Sequence, residues 1–152
     1  MSSISKRPRS AGASPPWAEE LAIDHARIRD TMRWIEAELD RQCASELQHD
    51  GPLVGPFRFF RFKLGRHFEL EEADGFPTLL ARAPELKPRV DTLVEQHRDF
   101  VERMATIVAQ LERAARPDGK LRLRLVEDIR ALFDDLRRHD AEEGRLMRSG
   151  SP

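Results

Sequence analysis

The sequence predicts an all-α fold, an up-down-up-down antiparallel four-helix bundle, and three observations carry that prediction. Four long segments each hold one apolar row at alternating spacings of three and four, the period of a buried helix face. Short turns containing Pro or Gly separate them, which makes antiparallel neighbours the simplest arrangement. At 152 residues the chain suffices for one domain with a proper core and is too short for two comfortable ones.

Residues 1–14 are rich in Ser, Pro, Gly and Arg with almost nothing apolar, so burial cannot offset their ordering entropy. They read as a disordered tail, and the bundle is expected over 15–149. Ser14-Pro15-Pro16 reads as a helix start, with Ser as N-cap and Pro in the first turn, where a missing N–H costs nothing. The first helix is expected from Trp17 to Leu47, with Leu21, His25, Ile28, Met32, Ile35 and Leu39 on its row. Cys43, four beyond Leu39, is expected in the same packing. A turn from Gln48 to Pro56 leads into a second helix, Phe57 to Ala73 or Asp74, whose row is Phe57, Phe60, Leu64, His67 and Glu71.

Gly75-Phe76-Pro77 is expected to end that helix, with a short helical turn before Pro84. The third helix is expected from Leu86 to Ala115, with Val90, Val94, His97, Val101, Met104, Val108 and Leu111 on its row. Arg116-Pro117-Asp118-Gly119 is a turn in which Asp118 offers an N-cap, and the fourth helix follows over about 119–148. Its row is Leu125, Ile129, Leu132, Leu136, His139, Glu143 and Leu146.

Composition excludes several partners. Charged residues make up 35% of the chain, mixed in sign and summing to −1, so there is no basic footprint for nucleic acid or an anionic membrane. The stretch Arg58-Phe59-Phe60-Arg61-Phe62 has the residue types that stack bases. Its aromatic row, however, continues at helical period to His67, which points to core packing. No apolar run is long enough to span a membrane. The lone Cys43 excludes an intramolecular disulfide and a cysteine-based zinc site and suggests a reducing compartment. The N-terminus lacks the apolar core of a secretory signal, so a cytoplasmic location is expected. Nothing in the sequence sets an oligomeric state.

Four of the five histidines fall on the apolar rows, one per helix. A row takes about two of every seven helical positions, so chance would place all four there with a probability on the order of 1%. Any one of them alone reads more simply as a hydrogen-bonded core residue. In an antiparallel bundle, at about 1.5 Å per residue, all four lie roughly 10 to 17 Å from the same end.

Glu71 and Glu143 stand one turn beyond their own histidines and reach the same layer. Buried ionisable groups are costly unless paired or holding a metal. His25, His67, Glu71, His97, His139 and Glu143 are therefore the expected ligands of a dinuclear centre. Each metal would take two imidazoles and one oxygen from each of two bridging carboxylates, leaving positions for an exogenous ligand. Mixed nitrogen and oxygen donors suit iron or manganese better than thiolate-seeking metals. His49 lies in a polar turn and is expected to be uninvolved, and Glu69, Glu72 and Glu142 fall off the rows and are expected on solvated faces. Asp24 is expected too far round its helix to touch a metal, but within reach of an outer hydrogen bond to a ligand.

These residues resemble the hemerythrin-like (HHE cation-binding) domains. The resemblance covers about residues 17–148 and rests on Asp24-His25, His67-Phe68-Glu69-Leu70-Glu71-Glu72, Gln96-His97 and His139-Asp140-Ala141-Glu142-Glu143, in that order, one per helix. It implies a non-haem di-iron centre that binds dioxygen, hydrogen peroxide or nitric oxide, or that senses iron.

The chain departs from the oxygen-carrying hemerythrins in two places. Their third helix supplies two histidines four apart, whereas Leu93 and Val101 flank His97 here. Their last helix places Asp five after its histidine, where this chain has Gly144 and carries its acid at Glu143. The pattern His, His-x-x-x-Glu, His, His-x-x-x-Glu is similar to the branch associated with peroxide breakdown and iron sensing. Some relatives also use a tyrosine near the irons, and this chain has no Tyr. Two functions follow as expectations: binding of a small oxidant with catalase-like disproportionation of peroxide, or an iron- or oxygen-sensing bundle without catalysis.

Overall fold

The computed structural model describes residues 14–44, 53–116 and 121–150. The helices are α1 (Pro16–Ala44), α2 (Val54–Leu70), α3 (Phe76–Arg82), α4 (Lys87–Ala114) and α5 (Leu123–Ser149). A π-helical turn, Glu71–Gly75, joins α2 to α3, and a 3-10 turn, Pro84–Leu86, leads into α4. No described helix is long and apolar enough to cross a membrane. The expected tail, His49, the Asp118 cap and the last residues of the first helix, 45–47, lie outside the described residues.

The four long helices form an all-α four-helix bundle. Their cross-helix pairs run in opposite directions along neighbouring elements. Arg58 meets Glu112 while Phe68 meets His97 between α2 and α4. His97 meets His139 while Arg103 meets Asp135 between α4 and α5. Arg29 meets Asp140 while Asp40 meets Arg130 between α5 and α1.

The rows on α2 and α5 are buried as expected, from Phe57 to Glu71 and from Leu125 to Leu146. Three expectations need correction. Val101 is exposed, because α4 packs against both α2 and α5 and buries Leu93, Phe100 and Ile107 instead. Cys43 is exposed near the end of α1, one position past the buried Gln42.

Gly75-Phe76-Pro77 does not end the second helical run. The backbone stays helical and opens into the wide turn, with the Phe76 N–H donating to the Glu71 carbonyl. A π turn relaxes the crowding that a proline ring imposes on the preceding turn, which lets Pro77 sit at the start of α3.

Two helix starts also shift. α2 begins at Val54 rather than Phe57, because Pro56 is tolerated in a first turn. α5 begins at Leu123 after an extended Arg122, four residues later than expected.

Two apolar clusters result. The larger one packs Phe57, Phe60 and Phe133 with Ile35, Leu39, Met104, Leu111, Ile129 and Leu132. The smaller one joins Phe76, Leu79, Val90, Leu93 and Leu146 at the opposite end. A Cβ at Gly150, which closes α5, would meet the Leu79 side chain of α3 and require it to shift. The polar row residues lie between these clusters.

Candidate metal centre

The six expected side chains come together in one layer. His25 comes from α1, His67 from α2, Glu71 from the π turn, His97 from α4, and His139 and Glu143 from α5. His25 and His67 pack edge to face with ring centroids 4.4 Å apart, and His97 and His139 lie 4.9 Å apart. The two carboxylates stand between these two pairs.

Glu71 turns Oε1 toward His67 Nε2 at 2.6 Å and His25 Nε2 at 3.6 Å, and Oε2 toward His97 Nε2 at 3.2 Å. Glu143 repeats the division, with Oε1 3.6 Å from His25 Nε2 and Oε2 4.0 Å from His139 Nε2. Two groups able to hold a cation follow: His25, His67, Glu71 and Glu143 in one, and Glu71, His97 and His139 in the other. Glu71 belongs to both.

The outer nitrogens orient the rings. His97 Nδ1–H donates to Glu72 Oε1 and His139 Nδ1–H to Gln96 Oε1, each at 2.7 Å, and His25 Nδ1 lies 2.6 Å from Asp140 Oδ1. Because these partners are oxygen acceptors, a proton belongs on each Nδ1, and Nε2 is the nitrogen turned into the layer. His67 is the exception. Its Nδ1 faces Asp24 at 3.9 Å, beyond hydrogen-bond reach, and Asp24 in turn lies 3.5 Å from Lys63 Nζ.

Glu72 is 41% exposed at the side chain, on the solvated face expected of it, yet its Oε1 reaches His97 Nδ1, which the apolar row does not predict. The signal that row lacks is the wide turn, through which consecutive glutamates reach the two nitrogens of one imidazole. Gln96 and Asp140, one residue from histidines, had entered only through the family resemblance. Phe68 and Phe76 stack on His97, with centroids at 3.8 and 5.8 Å.

A cation fits this arrangement on its own geometry. Both Glu71 oxygens are buried with no hydrogen-bond partner, as is His67 Nδ1. The 2.6 Å approach of His67 Nε2 to Glu71 Oε1 is out of line for a hydrogen bond, so two donor atoms face each other rather than pair. Buried carboxylate oxygens left this way are costly, and a cation between them removes the cost. Imidazole nitrogen and carboxylate oxygen are the donors of iron and manganese sites rather than of thiolate-seeking metals.

The comparison with protein families agrees with this chemistry. The family described as Hemerythrin HHE cation binding domain matches residues 18–148. The chain belongs to the hemerythrin HHE cation-binding family. No curated protein and no solved structure gives a significant match. It is thus a hemerythrin-like, metal-binding four-helix bundle whose family binds small ligands.

The charges of this hemerythrin-like layer are set by burial and close partners. Burial works against a charged His25, but Asp140 and Glu143 outweigh it and raise its pKa to about 10. Burial likewise opposes a charged Glu71, yet His67 and His97 hold its carboxyl well below the usual range. Glu143 is pushed up to about 6 by burial, helped by the Glu71 charge against the pull of His25. Burial and the neighbouring His97 push His139 down to about 4.

Three of the hemerythrin-type histidines are 2–4% exposed at the side chain, whereas His25 is 23% exposed. The difference marks where the layer opens. A cavity of about 300 Å³ rises from His25, His67, His139 and Glu143 between α1 and α5, walled by Ile28, Met32, Leu64, Phe68 and Leu136.

Proposed function

We propose that the bundle, residues 15–149, holds two iron ions and acts on a small oxidant, with hydrogen peroxide the substrate and its disproportionation the reaction. His25 and His67 would hold one ion, His97 and His139 the other, and Glu71 and Glu143 would bridge them. One observation carries the reading: each carboxylate divides its two oxygens between the two histidine pairs. A carboxylate serving a single ion has no reason to do so.

Bound iron would supply the redox couple through which two H2O2 become two H2O and one O2. The chain's part is orientation and exclusion of water. Glu72, Gln96 and Asp140 fix the rings with Nε2 inward. Phe68 and Phe100 cover His97 and His139 from the apolar side, with Phe100 5.3 Å from the His139 ring. The near-equal division of imidazoles favours a ligand that engages both positions over one held end-on at a single position, as in reversible dioxygen or nitric oxide binding.

A second reading is favoured by the orphaned Glu71 oxygens. A layer that is satisfied only with metal makes the order of the bundle depend on iron supply, which is the property of a sensor. The deciding experiment adds hydrogen peroxide to iron-loaded protein without haem or reductant. Oxygen evolved at one O2 per two peroxides consumed is the expected result. Reversible dioxygen binding with no oxygen from peroxide would return the protein to carriage, and helicity that tracks iron with neither reaction would make it a sensor.

A further inference from the structure

Hydrogen peroxide does not account for the cavity above the layer. Water takes a share of about 30 Å³ in the liquid, so peroxide needs on the order of twice that, whereas the cavity offers about 300 Å³. That size falls at the lower end of pockets that enclose organic ligands. Its walls are apolar, from Ile28 and Met32 of α1, Leu64 and Phe68 of α2, and Leu136 of α5, and its polar floor is the histidine and carboxylate layer. Such a space suits a molecule with an apolar body and a polar, reactive end.

The rim decides the charge of that molecule. Arg29, Arg33 and Arg137 stand there, but each already faces an acid: Asp140 at 3.4 Å, Asp30 at 3.7 Å and Glu36 at 2.6 Å. No uncompensated guanidinium is offered to an anionic head. A neutral ligand fits better than a carboxylate or phosphate ester.

We propose that the cavity binds neutral organic hydroperoxides, ROOH, with the apolar R group against Met32 and Leu136 and the hydroperoxide end on the floor. The binding claim stands on the cavity, and the chemical step rests on the peroxide reading above. In that step ROOH + H2O2 gives ROH + H2O + O2. The O–O bond of ROOH breaks and accepts two electrons, one proton going to the alkoxide oxygen and one to the departing hydroxide. Hydrogen peroxide supplies both electrons and both protons and becomes dioxygen.

The test uses the full chain with 2-phenylpropan-2-ol, the alcohol formed from cumene hydroperoxide, as a redox-inert probe of binding. Titration of the metal-free protein should shift the Met32 methyl resonance saturably. Ile28→Trp, at a half-buried wall position, should weaken that binding at least tenfold while helicity and iron per chain are retained. In iron-loaded protein, cumene hydroperoxide and hydrogen peroxide together should yield one O2 per alcohol formed. Should Ile28→Trp fail to fold, tert-butanol replaces it as the comparison and should bind the unaltered chain more weakly.

A flat titration of the unaltered chain overturns the inference, even if hydrogen peroxide alone is consumed and the peroxide reading stands. Saturable binding with neither hydroperoxide consumed overturns the chemical step together with the peroxide reading. Oxygen from hydrogen peroxide with no alcohol produced overturns the hydroperoxide step alone.

Discussion

The two halves of the bundle are ordered by different physics. In the larger apolar half, Phe57, Phe60 and Phe133 meet at 5.4 to 6.3 Å in edge and stacked pairs, and none exposes more than 1% of its surface. Every contact there is satisfied within the chain. In the polar half, six side chains converge, all but His25 buried, and neither Glu71 oxygen has a hydrogen-bond partner. Apolar burial contributes roughly 1.5–3 kcal/mol per large side chain, whereas a buried carboxylate that accepts no hydrogen bond depends on nearby positive charge. The first half can therefore hold the second in place, and the second is completed by a cation.

The contrast predicts that metal content and stability come apart under substitution. Glu71→Ala removes the side chain common to both candidate groups. It should lower iron affinity by more than about 100-fold, beyond the range of outer-partner changes, at both positions together. Iron analysis after dialysis checks it, and retention of the full complement would mean that Glu71 does not bridge. Phe133→Ala does the reverse. It should lower unfolding free energy by about 3–5 kcal/mol in denaturant titration while iron per folded chain stays at the unaltered value. Loss of iron in that variant would show that the two halves are not separable.

The same contrast explains how much could be read without coordinates. On α5 all seven expected row residues are buried, because one regular helix keeps one phase from Leu125 to Leu146. The ligand-type residues were readable for the same reason, since histidine and glutamate on an apolar row are conspicuous. The misses fall where the phase breaks or the row is not the whole interface. The contact from Glu72 to His97 was not legible because the π turn changes the residues per turn at Glu71. Val101 was misplaced because a helix with two neighbours buries a broad face, and Phe100 rather than Val101 lies on it. The Asp140 and Glu72 contacts depend on neighbouring helices, which a single row does not encode.

Glu72 offers the finer test. Glu72→Ala removes the acceptor on His97 Nδ1 while leaving the layer itself intact. Iron affinity should fall about 10- to 100-fold. Glu69→Ala, which loses only an exposed bond from Arg66, should leave it unchanged. Equal affinities for the two variants would place the orientation of His97 with Phe68 and Phe76 alone.

The central claim is that one layer of the bundle holds two metal ions between two histidine pairs. It is tested most directly by metal content together with the visible spectrum of protein purified anaerobically from iron-replete cells, before and after peroxide. Two irons per chain, with a spectrum that changes on peroxide addition, is the result predicted. One tightly held zinc, no second ion and no spectral response would contradict it.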